Sequence, residues 1–137
     1  MASSIETNYG TLMDRVKSLT IDSVVIMGFG LIISLTLNKF ENTPDYLRGL
    51  AFIFVFFLYD PLFISSFGGT IGHLLIGLRV KKDKDHSRKI LLPVAILRFI
   101  IKILLGWVSL ITVTGNEKNK SIHDMTAGSV VIKINNQ

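Results

Sequence analysis

Apolar residues along the chain are gathered into three long blocks that polar segments separate. The first block covers residues 19–37, with Asp22 as its one charged residue, and the second covers residues 46–67. About 20 apolar residues in a helix cross the hydrocarbon of a bilayer, so each of these blocks predicts one transmembrane helix. Hydrophobic residues make up 49% of the chain even without glycine, which also favours an integral membrane protein.

The third block, residues 90–113, is less regular. Arg98 and Lys102 lie four residues apart near its middle, on one face of a helix, and Gly106-Trp107 interrupts its second half. Two cations at the centre of a straight span are costly. The block therefore favours a broken, re-entrant or interfacial helical hairpin over a third crossing.

Two short segments that flank the third block have the composition of β-strands. These are "GLRVKK" at residues 77–82 and "SVVIKI" at residues 129–134. If they pair, both ends of the third block lie on the same face of the membrane. The predicted fold is thus an all-α integral membrane protein with a short cytoplasmic β-pair. We expect one domain over residues 1–137, with residues 1–10 frayed.

Basic residues are concentrated between the second and third blocks. Residues 79–89 hold six basic and two acidic residues, a net charge of +4, whereas the loop after the first block has two of each sign. The positive-inside rule places this basic segment and the N-terminus in the cytoplasm. The same segment is expected to contact anionic lipids, at about 1 kcal/mol per residue.

Asp22 is the charged residue that the first block has to accommodate. It lies about 5 Å beyond Leu19, close enough to the predicted edge for its carboxylate to reach the interface. Alternatively, it is buried and paired with a cation, for which Arg98 or Lys102 is the natural candidate. Arg15 is a poor partner for Asp22, since its side chain leans away across about 10 Å of helix. A structural ion pair and a proton- or cation-carrying role both remain open.

Asp60 precedes Pro61 near the end of the second block. A proline that frees backbone carbonyls beside a carboxylate offers ligands that hard cations use. The same pair of residues can instead end the helix at the interface, and we favour that interpretation.

Other candidate chemistry in the chain is weakly supported. The chain has no cysteine, and His73, His86 and His123 lack the spacing of metal ligands. His123 and Asp124 are neighbours, but no nucleophile accompanies them, and Asp124 can instead cap a turn. "GGTIG" lacks the lysine of a phosphate-binding loop. We therefore expect no enzyme activity, no cofactor, no metal and no nucleic acid partner.

Taken together, these segments resemble the RDD family of small bacterial membrane proteins, named for one arginine and two aspartates. Arg15 and Asp22 correspond to the arginine that starts the first transmembrane helix and the aspartate within it. "GGTIGHLLIGLRV" resembles the family's middle segment, and Arg98 resembles an arginine of its third hydrophobic block. "IHDMTAGSVVI" resembles its ending, which makes Asp124 the second aspartate.

The resemblance covers residues 11–132, with two departures. The family often has Lys and Arg after the middle glycine, where this chain has His73 and Leu74. Asp60 is outside the family pattern. Each motif is weak alone, whereas their order and spacing together are fairly specific.

The resemblance implies a multi-pass protein of the bacterial cytoplasmic membrane with a loose link to transport. We expect Arg15, Asp22, Arg98 and Asp124 to gather in the cytoplasmic leaflet. One possible function is a cation/proton carrier, in which Asp22 titrates and Arg98 or Lys102 tunes it. Two or three spans are too few to enclose an ion pathway in one copy. This carrier would therefore be a homo-oligomer or need a partner subunit. The alternative is a non-transporting membrane subunit or scaffold whose charges fix helix packing and docking.

Overall fold

A computed structural model describes residues 7–134 of the chain, and most of them are helical. In chain order the elements are α1 (Leu12–Leu37), α2 (Asp45–Phe67), α3 (Ile71–Ile76), β1 (Leu78–Lys82), α4 (Leu92–Leu105), α5 (Val108–Ile111), a 3-10 turn (Thr112–Gly115), α6 (Ile122–Thr126) and β2 (Ser129–Lys133).

The two long helices α1 and α2 are long and apolar enough to cross a membrane, which confirms the two predicted spans. α1 begins ahead of its apolar block because Thr11 and Asp14 form a capping box that satisfies the first backbone N–H groups. Its first turns are therefore polar and carry Arg15. α2 runs through Pro61 to Phe67, so the prediction that Asp60 and Pro61 end this helix is wrong.

The third hydrophobic block is broken, as predicted. α4 is followed after Gly106 and Trp107 by α5 and the 3-10 turn, and the two parts are bent by 103°. Gly106 has a φ of +51°, a conformation that a side chain would strain. The 14 residues of α4 are about 21 Å long, which is shorter than the hydrocarbon core.

The predicted β-pair is confirmed. β1 and β2 are antiparallel, with Leu78 opposite Lys133 and Lys82 opposite Ser129. Just after β1, Asp83 binds the ammonium groups of Lys118 and Lys120, at 2.9 and 2.5 Å. Because the sheet and these ion pairs join the segments before and after the third block, both of its ends lie together.

The segment before α1 is attached to the sheet. The backbone N–H of Lys133 donates to Asn8 O at 2.7 Å, and that of Gly10 donates to Val131 O at 2.9 Å. The prediction that residues 1–10 are frayed is therefore wrong for residues 8–10, and residues 1–6 lie outside the described residues. These bonds place the beginning of α1 beside the end of the chain.

The main apolar core lies where the C-terminal end of α2, the two strands and the beginning of α4 meet. Its buried members are Ile64, Leu78, Val80, Ile90, Ala95 and Val131. Large apolar side chains of α1 and α2, such as Leu31 and Phe54, are exposed away from this core. That distribution suits helices whose outer surface contacts lipid.

If the third block is re-entrant, both of its ends should be accessible from the same side of the membrane. The chain lacks cysteine, so single cysteines can be introduced at the exposed positions Ser87 and Glu117. We expect both variants to react with a membrane-impermeant maleimide from the same side of oriented vesicles. Asn42→Cys, in the loop between the two spans, is the control and should react from the other side. Labelling of Ser87→Cys and Glu117→Cys from opposite sides would show a full third crossing.

Candidate functional site

The centre of the candidate site is one carboxylate that binds two guanidinium groups. Asp124 Oδ2 lies 2.7 Å from Arg15 Nη1, and Asp124 Oδ1 accepts a 3.0 Å hydrogen bond from Arg98 Nε. The side chains are buried, with exposed fractions of 0% for Asp124, 3% for Arg15 and 1% for Arg98. The arginine at the start of α1 therefore contacts the aspartate near the end of the chain.

Asp124 is held in place by its own helix. At the N-terminus of α6, the Ser121 backbone N–H and hydroxyl donate to Asp124 Oδ2, at 3.2 and 2.9 Å, in a capping box. Burial alone would raise the pKa of this carboxyl, but Arg15 and Arg98 hold the pKa well below its usual range. Asp124 is therefore both the cap of α6 and a fixed negative charge.

A second ion pair continues the cluster from α4 to α2. Lys102 Nζ donates to Asp60 Oδ2 at 2.6 Å, and Arg98 Nη1 lies 3.9 Å from Asp60 Oδ1. Arg98 consequently stands between Asp124 and Asp60. The i, i+4 spacing of Arg98 and Lys102 puts both cations on the face of α4 that meets these carboxylates.

Asp22 does not contact Arg98 or Lys102, so that prediction is wrong. Its carboxylate accepts three hydrogen bonds, from the Tyr59 hydroxyl (2.7 Å), the Thr70 hydroxyl (2.6 Å) and the Gly72 backbone N–H (2.7 Å). These donors of α2 and α3 satisfy the carboxylate without a cation. The cations of α4 are instead used by Asp60 and Asp124.

Tyr59, Thr70 and Gly72 are the site residues that the sequence reasoning missed. The available signal was "GGTIG", in which Thr70 caps α3 and also donates to Asp22. A Cβ at Gly72 would collide with the Ser18 carbonyl oxygen and with the Asp22 carboxyl group. Glycine is therefore required for α3 to approach α1 closely enough to bind Asp22.

Two buried histidines adjoin the cluster. His73 Nδ1 lies 2.5 Å from the Thr70 hydroxyl, and His123 is held between the hydroxyls of Ser109 and Ser121, at 2.7 and 2.8 Å. Burial lowers the pKa of each histidine to about 3, and the Arg98 charge acts in the same direction. Both imidazoles are therefore neutral at neutral pH.

The charges of the predicted site residues are balanced. There are three cations and three carboxylates, namely Arg15, Arg98 and Lys102 with Asp22, Asp60 and Asp124. Within residues 7–134, no group of three His, Cys, Asp or Glu side chains is arranged to hold a metal ion.

A cavity of about 280 Å³ adjoins the cluster between α1, α2, α4 and α5. Most of its lining is apolar, including Phe56 and Trp107, and its charged lining residues are Asp22, Asp60 and Lys102. A largely apolar cavity with a few polar groups is typical of a small-molecule or ion site. It also brings the Asp60–Lys102 ion pair next to open space.

Comparison with protein families gives one match that covers most of the chain. The family model described as RDD family matches residues 9–128, a range that includes Arg15, Asp22, Arg98 and Asp124. No curated protein sequence and no solved structure matches the chain. The matched range extends from the segment before α1 to the turn before β2. The chain therefore belongs to the RDD family.

Proposed function

We propose that this protein is transport-associated and exchanges a monovalent cation for a proton as a homo-oligomer. The observation that supports this most is the position of the Asp60–Lys102 ion pair on the wall of the 280 Å³ cavity. Intramembrane charge beside an open cavity commonly marks an ion pathway. No enzyme activity is part of the proposal.

Asp60 is better suited to exchange than Asp22. Asp60 Oδ1 has no hydrogen-bond partner among the described residues, and Oδ2 is held by Lys102, whose side chain is 19% exposed. Asp22 would have to release three donors to bind a cation. This reverses the expectation from the sequence, which assigned the titrating role to Asp22.

The exchange step follows from charge balance at Asp60. A cation that enters the cavity binds the Asp60 carboxylate in place of the Lys102 ammonium group. Two cations beside one carboxylate repel each other, so Lys102 releases a proton to the cavity and becomes a neutral amine. The reverse reaction takes up one proton and releases one cation, which makes the exchange one for one.

The proposed setting is the bacterial cytoplasmic membrane, with the N-terminus in the cytoplasm. The basic segment 79–89 would then face anionic lipids on that side. One copy has two spans and a bent third block, and so few helices are unlike a complete wall around an ion pathway. We therefore include a homo-oligomer, or a partner membrane subunit, in the proposal.

A second function has its own support. Each carboxylate of the cluster is bound by partners, and the cations and carboxylates are equal in number. Such a cluster can serve to fix the packing of α1, α4 and α6, as expected for a non-transporting membrane subunit or scaffold. In that case a partner protein should remain bound during purification in mild detergent.

Flux measurements separate the two functions. In liposomes that contain a pH-sensitive dye, Na⁺ or K⁺ pulses should drive proton movement through the wild-type protein. Asp60→Asn, which removes the charge that the cation binds, should reduce this flux at least tenfold. Glu41→Gln, in the exposed loop between the spans, is the matched control and should retain it.

The folding of each variant is checked by its thermal unfolding before reconstitution. Normal flux through a folded Asp60→Asn variant would exclude Asp60 as the exchange site. Absence of flux from folded wild-type protein, with a protein that co-purifies, would favour the subunit function instead.

A further inference from the structure

A second, much smaller cavity adjoins the charge cluster. It measures about 10 Å³, which is room for about one water molecule, so a halide ion would need the lining side chains to move slightly apart. The lining comprises Arg15, Leu19, His73, Arg98, Lys102, Leu110 and His123. Three of these side chains are cations and, among the described residues, no carboxylate lines the cavity.

Two of the lining guanidinium groups have unused donors. Arg15 Nε and Arg98 Nη1 are buried and have no hydrogen-bond partner within the described residues. A buried N–H of a charged group that lacks an acceptor costs about 1–3 kcal/mol or more. Arg98 Nη1 lies 3.9 Å from Asp60 Oδ1, which is beyond hydrogen-bond distance. Since Arg15 and Arg98 both line the cavity, an occupant that accepts hydrogen bonds from the two guanidinium groups would remove this cost.

We propose that this cavity binds one small monovalent anion, with the chemistry of chloride. A halide accepts hydrogen bonds from several donors at once and needs no acceptor in return. Asp124 and Asp60 each contact Arg98, but neither lines the cavity. The anion therefore lies among the side chains of Arg15, Arg98 and Lys102.

The small cavity lies next to the larger one, from which an anion could enter it. Leu19, Lys102 and Leu110 line both this cavity and the larger one, so the two adjoin. The anion site does not rest on cation exchange, because its unpaired donors belong to Arg15 and Arg98, whereas the exchange step uses Asp60 and Lys102.

Bromide is the direct probe of this site. Crystals of the wild-type protein grown in sodium bromide should show an anomalous scattering peak between the guanidinium groups of Arg15 and Arg98. A cavity that holds ordinary water density without an anomalous peak would overturn the proposal. A bromide peak confined to other places would also overturn it, since the ion would then be adventitious.

Thermal unfolding gives an independent test in solution. With gluconate as the starting anion and constant ionic strength, added chloride should raise the Tm of the wild-type protein by about 3 °C and then saturate. Leu110→Phe, which narrows the small cavity, should abolish this rise. The control is Ile26→Phe. Ile26 lines the larger cavity but not the small one, so this variant should keep the chloride-dependent rise in Tm.

Each outcome of the unfolding experiment has a meaning. An equal Tm in chloride and gluconate for the wild-type protein would contradict an anion site. An equal rise in both variants would place the anion elsewhere. If Leu110→Phe does not fold, the bromide experiment on the wild-type protein decides the question.

Discussion

Replacement of Asp124 by asparagine is expected to reduce the free energy of unfolding by about 3–5 kcal/mol. The carboxylate lies between the guanidinium groups of Arg15 and Arg98, and all three side chains are buried. An asparagine of the same size would leave Arg15 without its anion and Arg98 with only the more distant carboxylate of Asp60. The loss can be measured by denaturant unfolding in detergent, followed by far-UV circular dichroism.

The matched control for this variant is Asp85→Asn. Asp85 also pairs with an arginine, Arg88, but its side chain is 44% exposed. Exposed ion pairs contribute little to stability, so this variant should unfold like the wild-type protein. An Asp124→Asn variant as stable as Asp85→Asn would mean that the cluster does not hold the fold together.

Replacement of Gly72 by alanine is expected to be the second most damaging change, with a loss of about 3 kcal/mol. The new methyl group would meet the Ser18 carbonyl oxygen and the Asp22 carboxyl group. α3 would have to move away from α1, which would break the hydrogen bond from the residue 72 N–H to Asp22. Thermal unfolding of the purified variant in detergent measures the effect.

Gly28→Ala is the control for the alanine substitution. Gly28 lies on the same helix as Asp22, and a Cβ there would meet no atom within 4 Å. Since alanine favours a helix over glycine by about 1 kcal/mol, this variant should be as stable as the wild-type protein or slightly more stable. If Gly72→Ala were equally stable, the close approach of α3 to α1 would not be required for folding.

The spans, the broken third block and the β-pair could be predicted from the sequence because their signals are local. Block length determines whether a helix can cross a bilayer, and the Gly106-Trp107 interruption with two cations indicated a break. The pairing of residues 77–82 with residues 129–134 needed only strand composition on either side of that block. Charge and predicted membrane layer, together with the family resemblance, suggested that Arg15 and Asp124 lie in the same layer, whereas their direct contact needed the structure.

The partners of Asp22 could not be predicted in the same way. Charge alone suggests a cation, whereas the structure uses the neutral donors of Tyr59, Thr70 and Gly72. Their convergence depends on how α2 and α3 pack against α1, which has no periodic signal in the sequence. The attachment of residues 8–10 to β2 was missed for a related reason, since it uses backbone groups that every residue has.

Asp60 shows how a residue outside the family pattern can still belong to the site. Sequence reasoning considered it as a cation ligand and named it among the candidate site residues, but favoured the end of a helix, because it precedes a proline. In the structure α2 continues past Pro61, and Asp60 becomes the partner of Lys102 on the cavity wall. The proposed exchange step rests on this position, which no motif would have indicated.

A double-mutant cycle between Arg15 and Asp124 tests the central claim, that the charge cluster joins α1 to the end of the chain. The free energies of unfolding of wild type, Arg15→Gln, Asp124→Asn and the double variant are compared. We expect the double variant to lose less than the sum of the single losses, with a coupling energy of about 2 kcal/mol. Purely additive losses would contradict a direct interaction between these two residues.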